Sequence, residues 1–158
     1  MDTVDLEPMT PEQYEAWLPG AVAGYAHENV VSGRWSEAEA MKLSSEEHQK
    51  LLPQGPATPD HHLWSIVRTG DREPVGVLWM QEMKTPTPRA FIYNIEIDPR
   101  FRRRGYARQA MTKLEDEARR LGLESIGLHV FGHNTAARPL YEQLGYEATN
   151  INMTKRLK

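Results

Sequence analysis

The sequence predicts one α/β domain, residues 1–158, with a mixed, mostly antiparallel, twisted sheet and flanking helices. Three observations carry that expectation. Apolar residues recur at helical spacing before Pro53 and again between Arg104 and Leu121. Between Leu63 and Ile97 the pattern changes to apolar, strand-like runs divided by turn residues. After Gly122 one further strand-like run precedes a second short helical pattern. The resulting order is β-α-α-β-β-β-α-β-α-β.

Val4 to Met9 reads as an opening strand, stopped by Pro8 and by a helix start at Thr10-Pro11. Thr10 is an N-cap candidate, and Glu12 in the first turn suits the positive end of the helix dipole. Tyr14, Trp17, Leu18, Ala21, Val22 and Tyr25 then supply an apolar helical face. Ser36 caps a second helix that runs to Leu52, and the prolines and glycine between Pro53 and Asp60 make a loop. Leu63–Arg68 and Val75–Met80 are strands around the turn Thr69–Pro74, and Thr85-Pro86-Thr87-Pro88 turns the chain into a third strand, Ala90–Ile97. Ala107, Ala110, Met111, Leu114, Ala118 and Leu121 mark a helix from Arg104 to Leu121, with Gly122 as its C-cap. Ser125–Phe131 follows as a strand, and Asn134–Leu144 as a helix capped by Gly145. The tail Tyr146–Leu157 is read as one more strand or two short ones.

Composition narrows the function classes. A hydrophobic content of 39% and a charged content of 26% fit a folded chain rather than a disordered one. The formal charge of −3 and a pI near 6.1 argue against a protein that coats nucleic acid. No apolar window approaches the ~18 residues that span a bilayer, so no membrane partner is expected. The acidic start Met1-Asp2-Thr3-Val4-Asp5 is unlike a secretory signal. The absence of Cys excludes disulfides, thiolate metal sites and a cysteine nucleophile, and is compatible with the cytoplasm. His61-His62 precede a strand while His27, His48 and His133 are dispersed, so no metal site is expected.

The most informative stretch runs from Ile95-Glu96-Ile97 through Asp98-Pro99-Arg100-Phe101-Arg102-Arg103-Arg104-Gly105-Tyr106-Ala107. A strand ends, a basic loop with one glycine follows, and a long amphipathic helix begins. The first turn of a helix offers unpaired N–H donors at the positive pole of the dipole. Arginines around it point to a phosphate or pyrophosphate site, although a solvated basic helix start fits the same residues. Neither G-x-x-x-x-G-K-[ST] nor G-x-G-x-x-G is present.

A second constellation follows the next strand: Asn134-Thr135-Ala136-Ala137-Arg138-Pro139-Leu140-Tyr141-Glu142-Gln143-Leu144-Gly145-Tyr146. Together with the R-x-x-G-x-A of Arg102 to Ala107, it resembles the GNAT N-acetyltransferase superfamily, and the element order agrees over nearly the whole chain. Ala107 stands where the family pattern has a second glycine, and Pro139 is unusual inside the last helix.

The resemblance implies a GNAT fold with acetyl-CoA bound between two splayed parallel strands, here Ala90–Ile97 and Ser125–Phe131. It implies that the backbone of Ile95, Glu96 and Ile97 pairs with the pantetheine arm, and that Arg102, Arg103, Arg104, Gly105, Tyr106, Ala107 and Arg108 hold the pyrophosphate. Asn134 and Ala137 would border the cofactor arm, and Tyr141 would protonate the departing thiolate. Acetyl would pass directly to a primary amine, so the missing Cys is no obstacle. The amine arrives as ammonium and needs a base, for which His129 is preferred and Glu96 or a water are alternatives; Asn94 could orient such a water. Trp35 and Glu28 are candidates for the acceptor side. A peptide or protein amine is the leading acceptor, with a small amine and a non-catalytic acetyl-CoA-binding module as the other readings. Monomer and homodimer are both open.

Overall fold

The computed structural model describes residues 2–157. The elements are β1 (Val4–Pro8), α1 (Pro11–Val31), α2 (Glu37–Leu51), β2 (His61–Arg68), β3 (Pro74–Met83), β4 (Arg89–Ile97), α3 (Tyr106–Arg120), β5 (Ser125–Leu128) and α4 (Ala137–Gln143). The start of α1 is fixed by a reciprocal cap. The Gln13 N–H donates to Thr10 Oγ1 at 3.1 Å while the Thr10 N–H donates to Gln13 Oε1 at 2.9 Å. The helix extends past Tyr25 to Val31 because buried Asn29 organises its end. Asn29 Nδ2 donates to the Tyr25 carbonyl, and the backbone N–H groups of Arg34 and Trp35 donate back to the Asn29 carbonyl. Ser44 Oγ, also buried, ties α2 to α1 by donating to the Val22 carbonyl at 2.7 Å.

The strands form one sheet in sequence order. β1 to β4 are an antiparallel meander, and β5 joins β4 in parallel. Short turns join β2 to β3 and β3 to β4, α1 and α2 lie between β1 and β2, and the parallel step from β4 to β5 needs the α3 crossover. One sheet face carries Ile66, Leu78, Met80, Ala90 and Ile92 against Tyr106, Ala110, Met111 and Leu114 of α3. The other packs Leu63 and Trp79 against Tyr14 and Trp17 of α1 and Leu51 of α2. Arg119 and Arg120 stand in the last turn of α3, where cations suit the dipole, and Gly122 (φ +77°) turns the chain out of it.

The β3–β4 register contains an irregularity that matters for the site. Met80 pairs with Ile92 and Trp79 with Asn94, leaving Tyr93 as an extra residue. This bulge bends β4 just where its pairing with β5 stops, at Ile92 opposite Leu128. β5 therefore ends at Leu128 rather than at Phe131, because β4 has bent away and residues beyond Leu128 have no ladder to join. The final helix starts at Ala137 rather than at Asn134. The expected strand in the tail is absent among the described residues. Residues 147–157 run exposed, with no strand beside them.

Gly76 sets how closely β3 approaches β4. A Cβ built there would lie 2.3 Å from the Glu96 carbonyl oxygen and 3.1 Å from Ile97 Cα, so backbone would have to move. Gly76→Ala is expected to lower the unfolding free energy by roughly 1–3 kcal/mol, as overpacking does, read as a lower urea midpoint at unchanged m-value. A midpoint equal to wild type would contradict the close approach.

Candidate active site

Beyond Ile92, the residues Asn94 to Ile97 of β4 remain paired to β3 on one side and, among the described residues, have no strand on the other. An open parallel edge of this kind presents unpaired backbone donors and acceptors to a ligand. Ile95 and Ile97 face the α3 core. Asn94 and Glu96 sit opposite Trp79 and Val77, which pack with the α1–α2 cluster, so those two polar side chains project to the other face. Glu96 is well exposed, at 59% of its side chain.

At the end of β4 the chain turns through Pro99–Phe101 into the α3 N-terminus. Gly105 (φ +80°) is the N-cap and offers no side chain to the first-turn N–H groups, and that turn carries no acidic residue. The positive pole of a 15-residue helix is thus left without a counter-charge from its own sequence. Arg103 is also left-handed (φ +63°), which curls the loop toward the form in which successive amides make an anion-binding concavity. Ile97, Arg102, Arg103, Gly105, Tyr106, Ala107, Arg108 and Leu140 line a cavity of about 250 Å³.

The arginines differ in what they already do. Arg100 pairs with Asp98 at 3.1 Å and holds that carboxyl below its usual range. Arg102 Nε donates to the Ile97 carbonyl at 3.0 Å, with its guanidinium 3.9 Å from Glu96. Arg103 and Arg104 have no carboxylate partner among the described residues; Arg104 lies over the Phe101 ring at 5.6 Å. The buried Tyr106 hydroxyl is already engaged, donating to Asp2 at 3.1 Å. Arg108 reaches across to Gln143 Oε1, tying α3 to α4.

On α4, Tyr141 is half-buried beside Tyr146, their rings 6.0 Å apart and edge-on. Its hydroxyl makes no hydrogen bond among the described residues, and burial pushes it above the usual phenol value of 10.0. The group is therefore a neutral donor across the neutral range. Asn134 lies on the turn leading into α4, and its Oδ1 accepts from the N–H of Ala137, the first residue of that helix, at 3.3 Å. His129 sits one residue past β5, exposed, with its ring edge-on to Phe131 at 4.9 Å. No hydrogen bond joins His129, Glu96 and Tyr141 among the described residues.

The face beside Asn94 and Glu96 is aromatic. Tyr93 stacks on Trp79 at 4.6 Å and on His61 at 5.9 Å, and Phe91 meets Tyr93 edge-on. Trp79 Nε1 donates to His61 Nδ1 at 2.9 Å, and burial lowers the His61 pKa, so this imidazole is neutral. Of the acceptor-side candidates, Trp35 lies edge-on to Tyr25, and Glu28 pairs with His133. That pair joins α1 to the loop before α4. Nothing in the local sequence around His133 signals it. The Tyr93 bulge was equally unreadable, whereas the side of Phe91 follows from strand alternation.

A family model for the acetyltransferase (GNAT) family matches residues 16–146. The chain belongs to that family. Over 156 residues it is 40% identical to the uncharacterized N-acetyltransferase YycN of Bacillus subtilis, covering 98% of this chain and 99% of YycN. The YycN crystal structure superposes with a TM-score of 0.93 over 99% of both chains. A shorter match, 40% identical over 62 residues, joins 39% of this chain to 42% of the [ribosomal protein bS18]-alanine N-acetyltransferase of Salmonella typhimurium. The aminoglycoside N-acetyltransferase AAC(6′)-Iy, solved in complex with CoA, shares the fold at 17% identity and a TM-score of 0.63, over 99% of this chain and 95% of its own. The protein is thus a GNAT-family N-acetyltransferase, and the donor used by that family is acetyl-CoA.

The burial of Tyr141 has a spectroscopic consequence. In a 295 nm titration, Tyr141→Phe is expected to remove a phenol that ionises above pH 10, since desolvation raises its pKa. Loss of a phenol titrating at or below 10 would contradict that environment.

Proposed function

We propose that this chain works as one cytoplasmic domain that transfers acetyl from acetyl-CoA directly to a primary amine, with a peptide or protein amine as acceptor. The observation that carries this reading is the α3 N-terminus, with its free amides and the carboxylate-free Arg103 and Arg104, set at the open edge of β4 beside the cavity. That donor set fits a pyrophosphate, and an unpaired strand edge fits the amide-bearing pantetheine arm.

The thioester supplies an activated acyl group; the remaining work falls to this chain. The amides of Ile95 to Ile97 orient the arm in the opening between β4 and β5. Amides of the loop and first turn, with Arg102, Arg103, Arg104 and Arg108, balance the pyrophosphate charge. His129 takes the proton from the incoming ammonium, with Glu96 or a water bridged from Asn94 as the other routes. Tyr141, kept neutral by burial, gives its proton to the thiolate as the carbon–sulfur bond breaks. The amine approaches from the face of Asn94 and Glu96, between the aromatic wall and the Glu28–His133 pair. Support for a protein N-terminus as acceptor comes from the partial likeness to the bS18-alanine enzyme. The aminoglycoside enzyme of the same fold keeps a small amine as the second reading.

Calorimetric titration with acetyl-CoA is expected to show saturable 1:1 binding that Arg104→Glu/Gly105→Glu abolishes. Binding unaffected by that variant would remove the loop from the site. Tyr141→Phe should bind acetyl-CoA nearly as wild type while kcat falls by ~10²-fold or more, the scale of a lost general acid. An unchanged kcat would remove Tyr141 from the mechanism. Turnover of a peptide panel against small amines separates the acceptor classes, and exclusive use of small amines would overturn the peptide reading.

A further inference from the structure

The segment that follows β5 leaves the sheet with little to hold it. β5 ends at Leu128, and residues 129–136 belong to no helix or strand. Val130 and Phe131 belong to neither apolar cluster of the core. Yet His129, which takes the proton in the mechanism above, stands at the start of this segment. A base works only within hydrogen-bond reach of the proton it removes, and a displacement on the order of 1 Å costs much of its effect. Something other than the sheet must therefore fix the imidazole.

Among the described residues, one side-chain hydrogen bond ties residues 129–136 to any element beyond the adjoining α4: His133 Nε2 donates to Glu28 Oε2 on α1. From there contact passes back along the segment. His133 stacks on Phe131 at 5.5 Å, and Phe131 meets His129 edge-on at 4.9 Å. Side chains two apart in an extended chain share a face, so the three rings stand in one row with Glu28 at its far end. Glu28 has a firm support. It precedes buried Asn29, whose carbonyl gathers the N–H groups of Arg34 and Trp35, and the Ser32 N–H donates to the Glu28 carbonyl at 3.0 Å. The pair is partly open to water, and pairs so placed add little to folding stability. Its effect lies in where it holds the row.

We propose that Glu28 is a positioning residue for acetyl transfer, which fixes the His129 imidazole at the acceptor opening through His133 and Phe131. The inference rests on His129 being the base, and adds to that reading the part of the fold that holds the base in place. The Glu28 carboxylate sets the orientation of the His133 ring by hydrogen bonding, as a carboxylate does for an imidazole in other catalytic sites. Aromatic contacts have preferred offsets, so a fixed His133 fixes Phe131, and a fixed Phe131 limits the rotamers open to His129. Without Glu28 the row loses its outer anchor and the imidazole its place.

The chain has 6 histidines, few enough for each imidazole to be followed in a carbon–proton correlation spectrum of the full chain. Glu28→Ala is expected to shift the Hε1 signals of His133 and His129 together while those of His61 and His62 stay in place. Glu28→Gln keeps an oxygen that accepts from His133 Nε2, and should keep the wild-type His129 signal. With a peptide bearing a free N-terminal alanine as acceptor, Glu28→Ala should lower kcat by ~10-fold or more at unchanged KM for acetyl-CoA. In a His129→Ala background the same change should cost nothing further. A His129 signal that Glu28→Ala leaves unmoved, or that Glu28→Gln moves as far, would overturn the proposal. So would wild-type kcat in Glu28→Ala beside a crippled His129→Ala, or equal fold-losses from Glu28→Ala in both backgrounds. Wild-type kcat in His129→Ala would overturn the base reading and the proposal with it. The spectra need no acceptor, so they decide the placement of His129 whichever amine turns over.

Discussion

β4 is held by two neighbours that let go at different places. β3 pairs with it as far as Ile97, while β5 leaves it after Ile92, at the Tyr93 bulge. Every feature of the candidate site depends on that difference. The bulge keeps Tyr93 and Asn94 on the α1–α2 side, and restores Ile95 and Ile97 to the α3 core. It leaves an unpaired edge next to the start of α3. Had β5 continued its pairing to Ile97, the sheet would be more regular and the strand edge would be closed to a ligand.

The helix start at Gly105 supplies the electrostatic half of the site. Most polar groups nearby already have partners: Asp98 with Arg100, Arg102 with the Ile97 carbonyl, Tyr106 with Asp2, Arg108 with Gln143. These bonds position the loop, so that the groups left over are the first-turn amides and the guanidinium groups of Arg103 and Arg104. A preorganised set of donors with few others competing is what gives an anion site its selectivity. On α4, the same economy holds for Tyr141. Burial among core aromatics keeps its hydroxyl protonated and without a partner of its own.

Much of this was legible in the sequence because it is local. The Thr10 cap, the apolar stripe of α3 and the basic loop around Gly105 are set by residues within one or two turns of each other. The order of elements, together with the Arg102–Ala107 and Asn134–Tyr146 motifs, was enough to place the chain in its family. What could not be read depends on residues far apart in the chain. The Tyr93 bulge is a property of the β3–β4 register, and the end of β5 at Leu128 follows from it. The Glu28–His133 pair spans 105 positions. The tail shows the same limit from the other side. Its alternation reads as a strand, yet a strand forms only where another edge is available to pair with it.

Hydrogen exchange with and without acetyl-CoA tests the central claim most directly, because it reads backbone amides one segment at a time. The account predicts that the ligand slows exchange in two segments together, the open part of β4 from Tyr93 to Ile97 and the loop and first turn from Arg103 to Arg108. β1 and the β2–β3 turn should be unaffected. Slowed exchange confined to other elements, or in the loop without the β4 edge, would contradict a site built on the parting of β4 from β5.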